Sequence, residues 1–510
     1  MSVKEGFFCN ESTITETKAG KVKGFLLDGI YTFYGIDYAK AERFCQPEPV
    51  EPWEGVKDAL QYGYIAYPES PDSPNGDLLV PHRFWPKSED CLNLNVWTPS
   101  LDKDAKKAVM VWFHGGGFSS GSAVEMLAYD GHNLADYGDV VMVTVNHRLN
   151  VFGFLDVSKY GEKYANSQNA GMADLVASLQ WVHDNIANFG GDPDNVTIFG
   201  QSGGGMKVSS LMQIKAAEGL FHKAIIMSGS GPNEHMLSFE STSDVAEKML
   251  AELGSDSIDA LLELEPLELQ KLVNKVTGGR SGMRWGPLEN EWFDHIIFRG
   301  STEHAKTIPL MVGTCIGEMG TFRFSVPGRQ QMSKEEKEKL VLDKLGEEKG
   351  QKLLDLFYKA YPDHDAIDAI ILDDGSRVTT RMMLDIRAED GSAPSYNYIF
   401  AYDFPIDDGK AAWHCADIPF IFRNIDRVAV CNEAEVGARL QDQFSTAWTN
   451  FAKTGDPNNA YLPTWEPYTK GHEVTMVFDK NSEARVNHDR ELVDLHRELE
   501  YEIENPNMLM

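Results

Sequence analysis

The stretch VTIFGQSGGG, residues 196–205, decides the fold. Val196–Phe199 is a short apolar run of strand type. Gly200-Gln201-Ser202-Gly203-Gly204 follows at once, and the residues after it read as a helix. A serine on a tight turn between strand and helix is a nucleophile elbow. Its outer glycines answer to crowding, because side chains there would collide with neighbouring elements. The following helix turns its N-terminal N–H groups toward the serine, which favours developing negative charge. A phosphate loop is the competing glycine-rich pattern. Gly200 and Gly205 have its spacing, but Met206 stands where it needs lysine.

Working outward, Ala108–Phe113 and Val140–Asn146 read as buried strands. Met172–Asn188 reads as a helix, with Leu175, Leu179, Val182 and Ile186 on one face, stopped by Gly190, Gly191 and Pro193. Ala224–Met227, Pro309–Thr314, Tyr396–Ala401 and Val474–Phe478 continue the strands. Alternation of this kind predicts an α/β protein, its mostly parallel sheet covered by helices on both faces. Residues 238–295 and 330–390 read as helical insertions forming a cap or regulatory region. With no repeat, linker or composition break, residues 1–510 read as one domain.

His114-Gly115-Gly116-Gly117-Phe118 directly follows the 108–113 strand. Consecutive glycines let backbone N–H groups approach a ligand, and an HGGG loop in this place is an oxyanion hole. Gly116 and Gly117 are the expected donors, with Gly203 as the third. A serine nucleophile needs a base, and the base needs an acid to orient it. In chain order the acid precedes the histidine. Of the histidines after residue 318, His364, His472, His488 and His496 lie among charged or turn residues and read as solvated. His414, in KAAWHCADIPFIF, lies among apolar ones and is the expected base. Glu318 follows the 309–314 strand, as catalytic groups in α/β sheets do, and is the expected acid.

Composition narrows the partners. Lys and Arg number 47 against 78 Asp and Glu, a net charge of −31. That excludes nucleic acid and anionic membrane as expected partners. It predicts a field that disfavours polyanionic substrates. Six cysteines include no CxxC pair, and no metal-ligand spacing or cofactor motif occurs, so neither metal nor cofactor is expected. No apolar run reaches secretory or membrane-spanning length, so a cytoplasmic location is expected. Oligomeric state is left open.

Together these segments resemble the type-B carboxylesterase/lipase family of α/β-hydrolases, which includes the cholinesterases, here in a bacterial-type intracellular form. The likeness runs from GKVKGFLLDGIYTFYGIDYAKAERF through SEDCLNLNVWTP, HGGGF, NHRLNVFGFL and GQSGGG to GTCIGEMG, WHCADIPF and AWTNFAKTGDPN. It implies an α/β-hydrolase fold and an ester hydrolase with triad Ser202, Glu318 and His414. It implies an oxyanion hole at Gly116, Gly117 and Gly203. It places Ser228 in the hydrogen-bond network around the triad and pairs Arg148 with Asp174. The same triad also serves amide, lactone or carbamate cleavage, and the family includes adhesion molecules that have lost the serine.

The chain departs from the family in four places. Gln201 and Gly203 flank the serine where many members have an acid and an alanine. The acid loop reads GEMG where DEG is common. DYAKAERF is shorter than the usual stretch. Cys91 matches a cysteine that is disulfide-bonded in many secreted members, but YGYIAYPES offers no partner, so that disulfide is expected to be absent. Trp285 and Phe293 are expected from the insertions as pocket walls or as core. Trp85 is spaced differently from Cys91 than the cation-binding tryptophan of cholinesterases, and it inherits no role.

Overall fold

The apolar runs form one eleven-stranded sheet in the computed structural model, which describes residues 6–69, 78–231, 238–279, 284–323, 326, 328–372, 375–406 and 409–503. In chain order its strands are β1 (Phe25–Leu27), β2 (Ile30–Asp37), β3 (Asn93–Thr98), β4 (Lys107–Phe113), β5 (Val141–Val145), β6 (Gly191–Gln201), β7 (Lys223–Met227), β8 (Leu310–Cys315), β9 (Ser395–Phe400), β10 (Val474–Phe478) and β11 (Glu483–Val486). They lie in the order β11-β10-β9-β8-β7-β6-β4-β5-β3-β2-β1. Strands β4 to β10 are mutually parallel, and the rest add antiparallel margins. Six predicted strands match within a residue at each end. β6 starts earlier, at Gly191, through a register irregularity before Val196.

Period-two alternation feeds a core on each face. Val109, Val111 and Phe113 enter one, Met110 and Trp112 the other. Helices α1 (Ala170–Asn185) and α2 (Gly203–Leu211) cover the first face with Leu175, Leu179, Val182, Val208 and Leu211. The chain leaves β4 for β5 on one side and returns to β6 on the other. The order therefore reverses at β4, and a crevice opens at the carboxyl ends of such strands.

The insertions are less peripheral than their polar composition predicts. Helices α3 (Ser243–Leu253) and α4 (Pro266–Thr277) bury Val245, Met249, Leu250, Leu269 and Val273 in the core that holds Phe118. Trp285 and Phe293 are buried in that core, and Trp285 also borders a small cavity with Glu69, Asn150 and Gln270. In the second insertion α5 (Lys334–Leu345) and α6 (Glu347–Ala360) pack together, but α7 (Gly375–Glu389) lies on β8 and β9. Buried Arg387 of α7 donates to the carbonyls of Ala305 and Ile308 and to Ser395 Oγ. That helix packs on the sheet as part of the scaffold. Helix α8 (Val436–Thr454) covers the second face with Leu440, Phe444, Trp448 and Phe451, and α9 (Arg490–Ile503) packs on α6.

Arg148 and Asp174 form the expected pair. Arg148 Nε and Nη2 donate to the two Asp174 oxygens at 2.9 and 2.6 Å, and its backbone N–H adds a third bond at 3.0 Å. Both side chains are buried, and Arg148 Nη1 also holds the carbonyls of Glu42 and Cys45. Removing one partner strands a buried charge. Asp174→Ala should therefore lower unfolding stability by about 3–5 kcal/mol in denaturant melts. A loss under about 1 kcal/mol would show that the guanidinium finds water instead. Cys91 is buried and, like the other five cysteines, free. Among the described residues no helix is long and apolar enough to cross a membrane.

Candidate active site

The elbow forms because β4, β6 and α2 meet with almost no clearance. A Cβ on Gly200 would lie 2.5 Å from the Gly204 carbonyl carbon, and one on Gly204 only 2.0 Å from Phe113 O. Ser202 sits at φ 57, ψ −125, which a side-chain-bearing residue rarely adopts. Two backbone bonds hold it there, Ser202 N–H to Met227 O at 2.8 Å and Met206 N–H to Ser202 O at 3.0 Å.

The glycine loop after β4 lies against this turn. Gly116 and Gly117 have φ of 83 and 62, and a Cβ on Gly115 would sit 3.5 Å from Ser202 Cβ. Gly203 and Gly117 approach so closely that a Cβ on Gly203 would lie 2.3 Å from Gly117 N. The three expected oxyanion donors thus belong to two touching backbone segments beside the serine.

Beneath the loop is a buried basic group that the sequence motifs do not reveal. Lys207, one turn into α2, donates from Nζ to His114 O at 2.9 Å. Burial pulls its pKa down to about 7. His114 and His147 stack at 5.1 Å, and burial keeps both well below the ordinary histidine range. His114 of the HGGG segment is therefore a neutral support that donates from Nδ1 to Gly115 O at 2.9 Å. A lysine seven residues after the motif's first glycine carries no spacing signal of its own.

Glu318 and His414 come together from the loops after β8 and β9. Glu318 is buried, with φ 35. Its Oε1 accepts the Cys315 N–H at 2.7 Å, and its Oε2 pairs with His414 Nδ1. The His414 N–H bonds Glu318 O at 3.2 Å, which ties the two loops through their backbones. With Nδ1 engaged, Nε2 is the ring nitrogen left for a hydroxyl. Burial alone would lower the His414 pKa, but the Glu318 charge and hydrogen bond outweigh it and raise it above 6.5. A histidine that serves as general base does so only when neutral. Hydrolysis (kcat/KM) should therefore fall with decreasing pH through a midpoint above 6.5, and Glu318→Gln should move that midpoint down. A midpoint unmoved by Glu318→Gln would separate the acid limb from this pair.

Gln201, at the position where many family members are acidic, places its amide nitrogen 3.3 and 3.2 Å from the two His414 ring nitrogens. Near-equal distances put the amide over the ring. Its oxygen accepts from Cys415 Sγ at 3.2 Å. Asp417, bonded by Tyr398 OH at 2.9 Å, is pushed up to about 7 by burial and by the Glu318 charge.

Two expectations are corrected. Ser228 lies at the end of β7, but its Oγ is buried without a hydrogen-bond partner among the described residues. The Glu318 oxygens are already taken by the Cys315 N–H and the His414 ring. Of the histidines read as solvated, only His472 is exposed. The side chains of His364 and His488 are 5% and 6% exposed, and His496 is buried. Distant carboxylates such as Asp479 make burial tolerable for His364.

A model of the carboxylesterase family matches residues 11–495. The para-nitrobenzyl esterase of Bacillus subtilis (strain 168) is 34% identical over 500 residues, covering 94% of this chain and 96% of that protein. The phenmedipham hydrolase of Pseudarthrobacter oxydans is 32% identical, covering 91% of this chain and 94% of that protein. Among solved structures, an esterase from anaerobic Clostridium hathewayi that can hydrolyse aliphatic aromatic polyesters superposes with a TM-score of 0.92 at 45% identity, covering 96% of this chain and 99% of that one. With an α/β-hydrolase sheet and these relatives along its length, the chain belongs to the carboxylesterase family and is a carboxylic ester hydrolase.

Proposed function

We propose that Ser202 is the nucleophile, His414 the general base, Glu318 the acid that orients it, and the N–H groups of Gly116, Gly117 and Gly203 the oxyanion hole. The observation that carries this reading is the contact of the elbow with the Gly116–Gly117 loop, at the end of the sheet where Glu318 pairs with His414. His414 takes the Ser202 proton as Oγ attacks the ester carbonyl. The hole holds the tetrahedral oxyanion, and His414 returns the proton to the leaving alcohol. Water, activated by the same imidazole, then releases the acid. Glu318 fixes the tautomer and stabilises the imidazolium. A fluorophosphonate should label Ser202 alone, read by peptide mass. Labelling elsewhere, with Ser202 unmodified in inactivated enzyme, would overturn the assignment.

For substrate, the reading is a neutral ester with apolar acyl or alcohol parts, including aliphatic aromatic polyesters. Exposed Leu78 and Phe84 support it. They flank His82, which bridges to Met126 on the loop that continues from the oxyanion segment. The net charge of −31 argues against polyanionic esters. A reducing compartment such as the cytoplasm accords with six free cysteines. Soluble products released from a polyester film test the substrate reading. Turnover of small esters with no release from film would restrict it to small molecules.

A further inference from the structure

Away from the triad, a histidine and two aspartates from separate segments converge. A ring nitrogen of His364 and carboxylate oxygens of Asp368 and Asp403 all lie within 4.8 Å of one another. We propose that His364, Asp368 and Asp403 form a structural site for a divalent transition cation, with Zn²⁺ the best chemical fit.

The donor set carries the argument. His364 lies in the turn that leads into the short helix Asp368–Ile371, which Asp368 opens. Asp403 comes from just beyond β9 and faces them. The His364 side chain is only 5% exposed, yet its Nδ1 makes no hydrogen bond. Asp403 Oδ2 is 3.6 Å away from it, too long for one. Asp368 Oδ1 and Asp403 Oδ1 are likewise buried without a hydrogen bond. These three atoms are thus buried without a hydrogen bond, with Arg329 as the ion-pair partner of Asp368 Oδ1. The other ring nitrogen of His364 donates to Asp479 Oδ2 at 3.0 Å. A carboxylate behind a histidine in this way orients the ring of a metal-ligating imidazole and raises its basicity.

The ion type follows from the ligands. One imidazole with two carboxylates and no thiolate suits Zn²⁺ with a fourth, non-protein ligand better than it suits Mg²⁺ or Ca²⁺, which take oxygen shells. Crowding supports a cation, because the Asp368 and Asp403 carboxylates meet around one imidazole. Arg329 is the opposing charge. Its Nη2 lies 3.0 Å from both Asp368 oxygens but hydrogen-bonds only Oδ2. Lys337 is occupied by Asp365. Coordination needs Nδ1 deprotonated, so binding releases the imidazole proton to solvent.

The position gives the site a structural role. Asp403–Phe404 pairs with Lys410–Ala411, three residues before His414. Ile371 O packs where a Cβ on Gly320 would fall, at 2.6 Å, two residues after Glu318. Asp479 directly follows β10. A cation here would tie the second insertion to the segments that carry both triad partners.

The test uses the full chain, stripped with EDTA, incubated with excess Zn²⁺ and desalted. One equivalent of zinc should remain by elemental analysis, and Tm should rise by roughly 3–5 °C over the stripped protein. Asp403→Asn removes a crowded charge and should fold. It and His364→Gln should each lose the bound equivalent and the Tm rise. Ca²⁺ and Mg²⁺ should give neither. Wild-type protein that retains no zinc would make the cluster a plain imidazolium–carboxylate network and overturn the proposal. So would variants that retain zinc as wild type does, or stabilisation by Ca²⁺ in place of Zn²⁺.

Discussion

Ser202→Ala should reduce kcat for p-nitrophenyl butyrate by at least about 10⁴-fold while circular dichroism and Tm stay near wild type. The alanine methyl occupies less space than the serine hydroxymethyl, and both backbone bonds that hold the strained turn are retained. His414→Ala should cost a similar factor, and Glu318→Gln about 10³–10⁴-fold, because the imidazole then loses both its tautomer control and its counter-charge. The losses should not multiply. Ser202→Ala combined with either change should be no worse than Ser202→Ala alone, since the three groups act in one proton transfer. The residual rate over water would come from the oxyanion donors and binding. Near-wild-type turnover by Ser202→Ala would remove the nucleophile assignment. Multiplying losses would mean that His414 or Glu318 acts outside the triad.

The parts of the site legible in sequence are those whose chemistry imposes local spacing. An elbow needs glycines at fixed offsets from its serine; the Phe113 carbonyl leaves no room for a side chain at Gly200 or Gly204, and Gly204 itself crowds Gly200. Strand positions were legible because apolar runs bounded by glycine and charge leave little choice of element. What escaped depends on partners far apart in the chain. His364 reads as solvated among PDHDA, yet Asp403 and Asp479 enclose it from beyond two different strands. Lys207 is buried because the end of β4 brings the His114 carbonyl over it, which nothing in its local sequence marks. Helix α7 reads as part of a cap because it is rich in charge. Its Arg387 is nevertheless spent on buried carbonyls, and Met383 and Leu384 face the sheet. In each case the polar residue is buried because a distant segment supplies its hydrogen bonds, and no local pattern records that.

Gly203→Ala should lower kcat by about 10²–10³-fold and stability by about 1–3 kcal/mol. The resemblance to the family makes this substitution look harmless, since many members carry alanine there. In this chain Gly117 fills the methyl's place. The added Cβ would lie 2.3 Å from both Gly117 N and O and 2.4 Å from its Cα. These are backbone atoms, so no side chain can swing away, and the Gly116–Gly117 loop must retreat by roughly an ångström to reach ordinary contact. A displacement of that size is enough to spoil a preorganised donor pair. The fold has reason to tolerate the change. Gly203 opens α2, and alanine is the better helix former by up to about 1 kcal/mol, which offsets part of the strain. The loss should fall on kcat more than on KM, because oxyanion donors act mainly on the tetrahedral state. Fluorophosphonate labelling of Ser202 should slow in parallel, since its phosphoryl oxygen uses the same donors, while the acid-limb midpoint set by His414 stays in place. That combination separates a displaced hole from a damaged triad. If kcat fell less than about 3-fold, Gly117 and Gly203 would not be acting together on the oxyanion, and the hole would have to draw its donors from elsewhere in the loop.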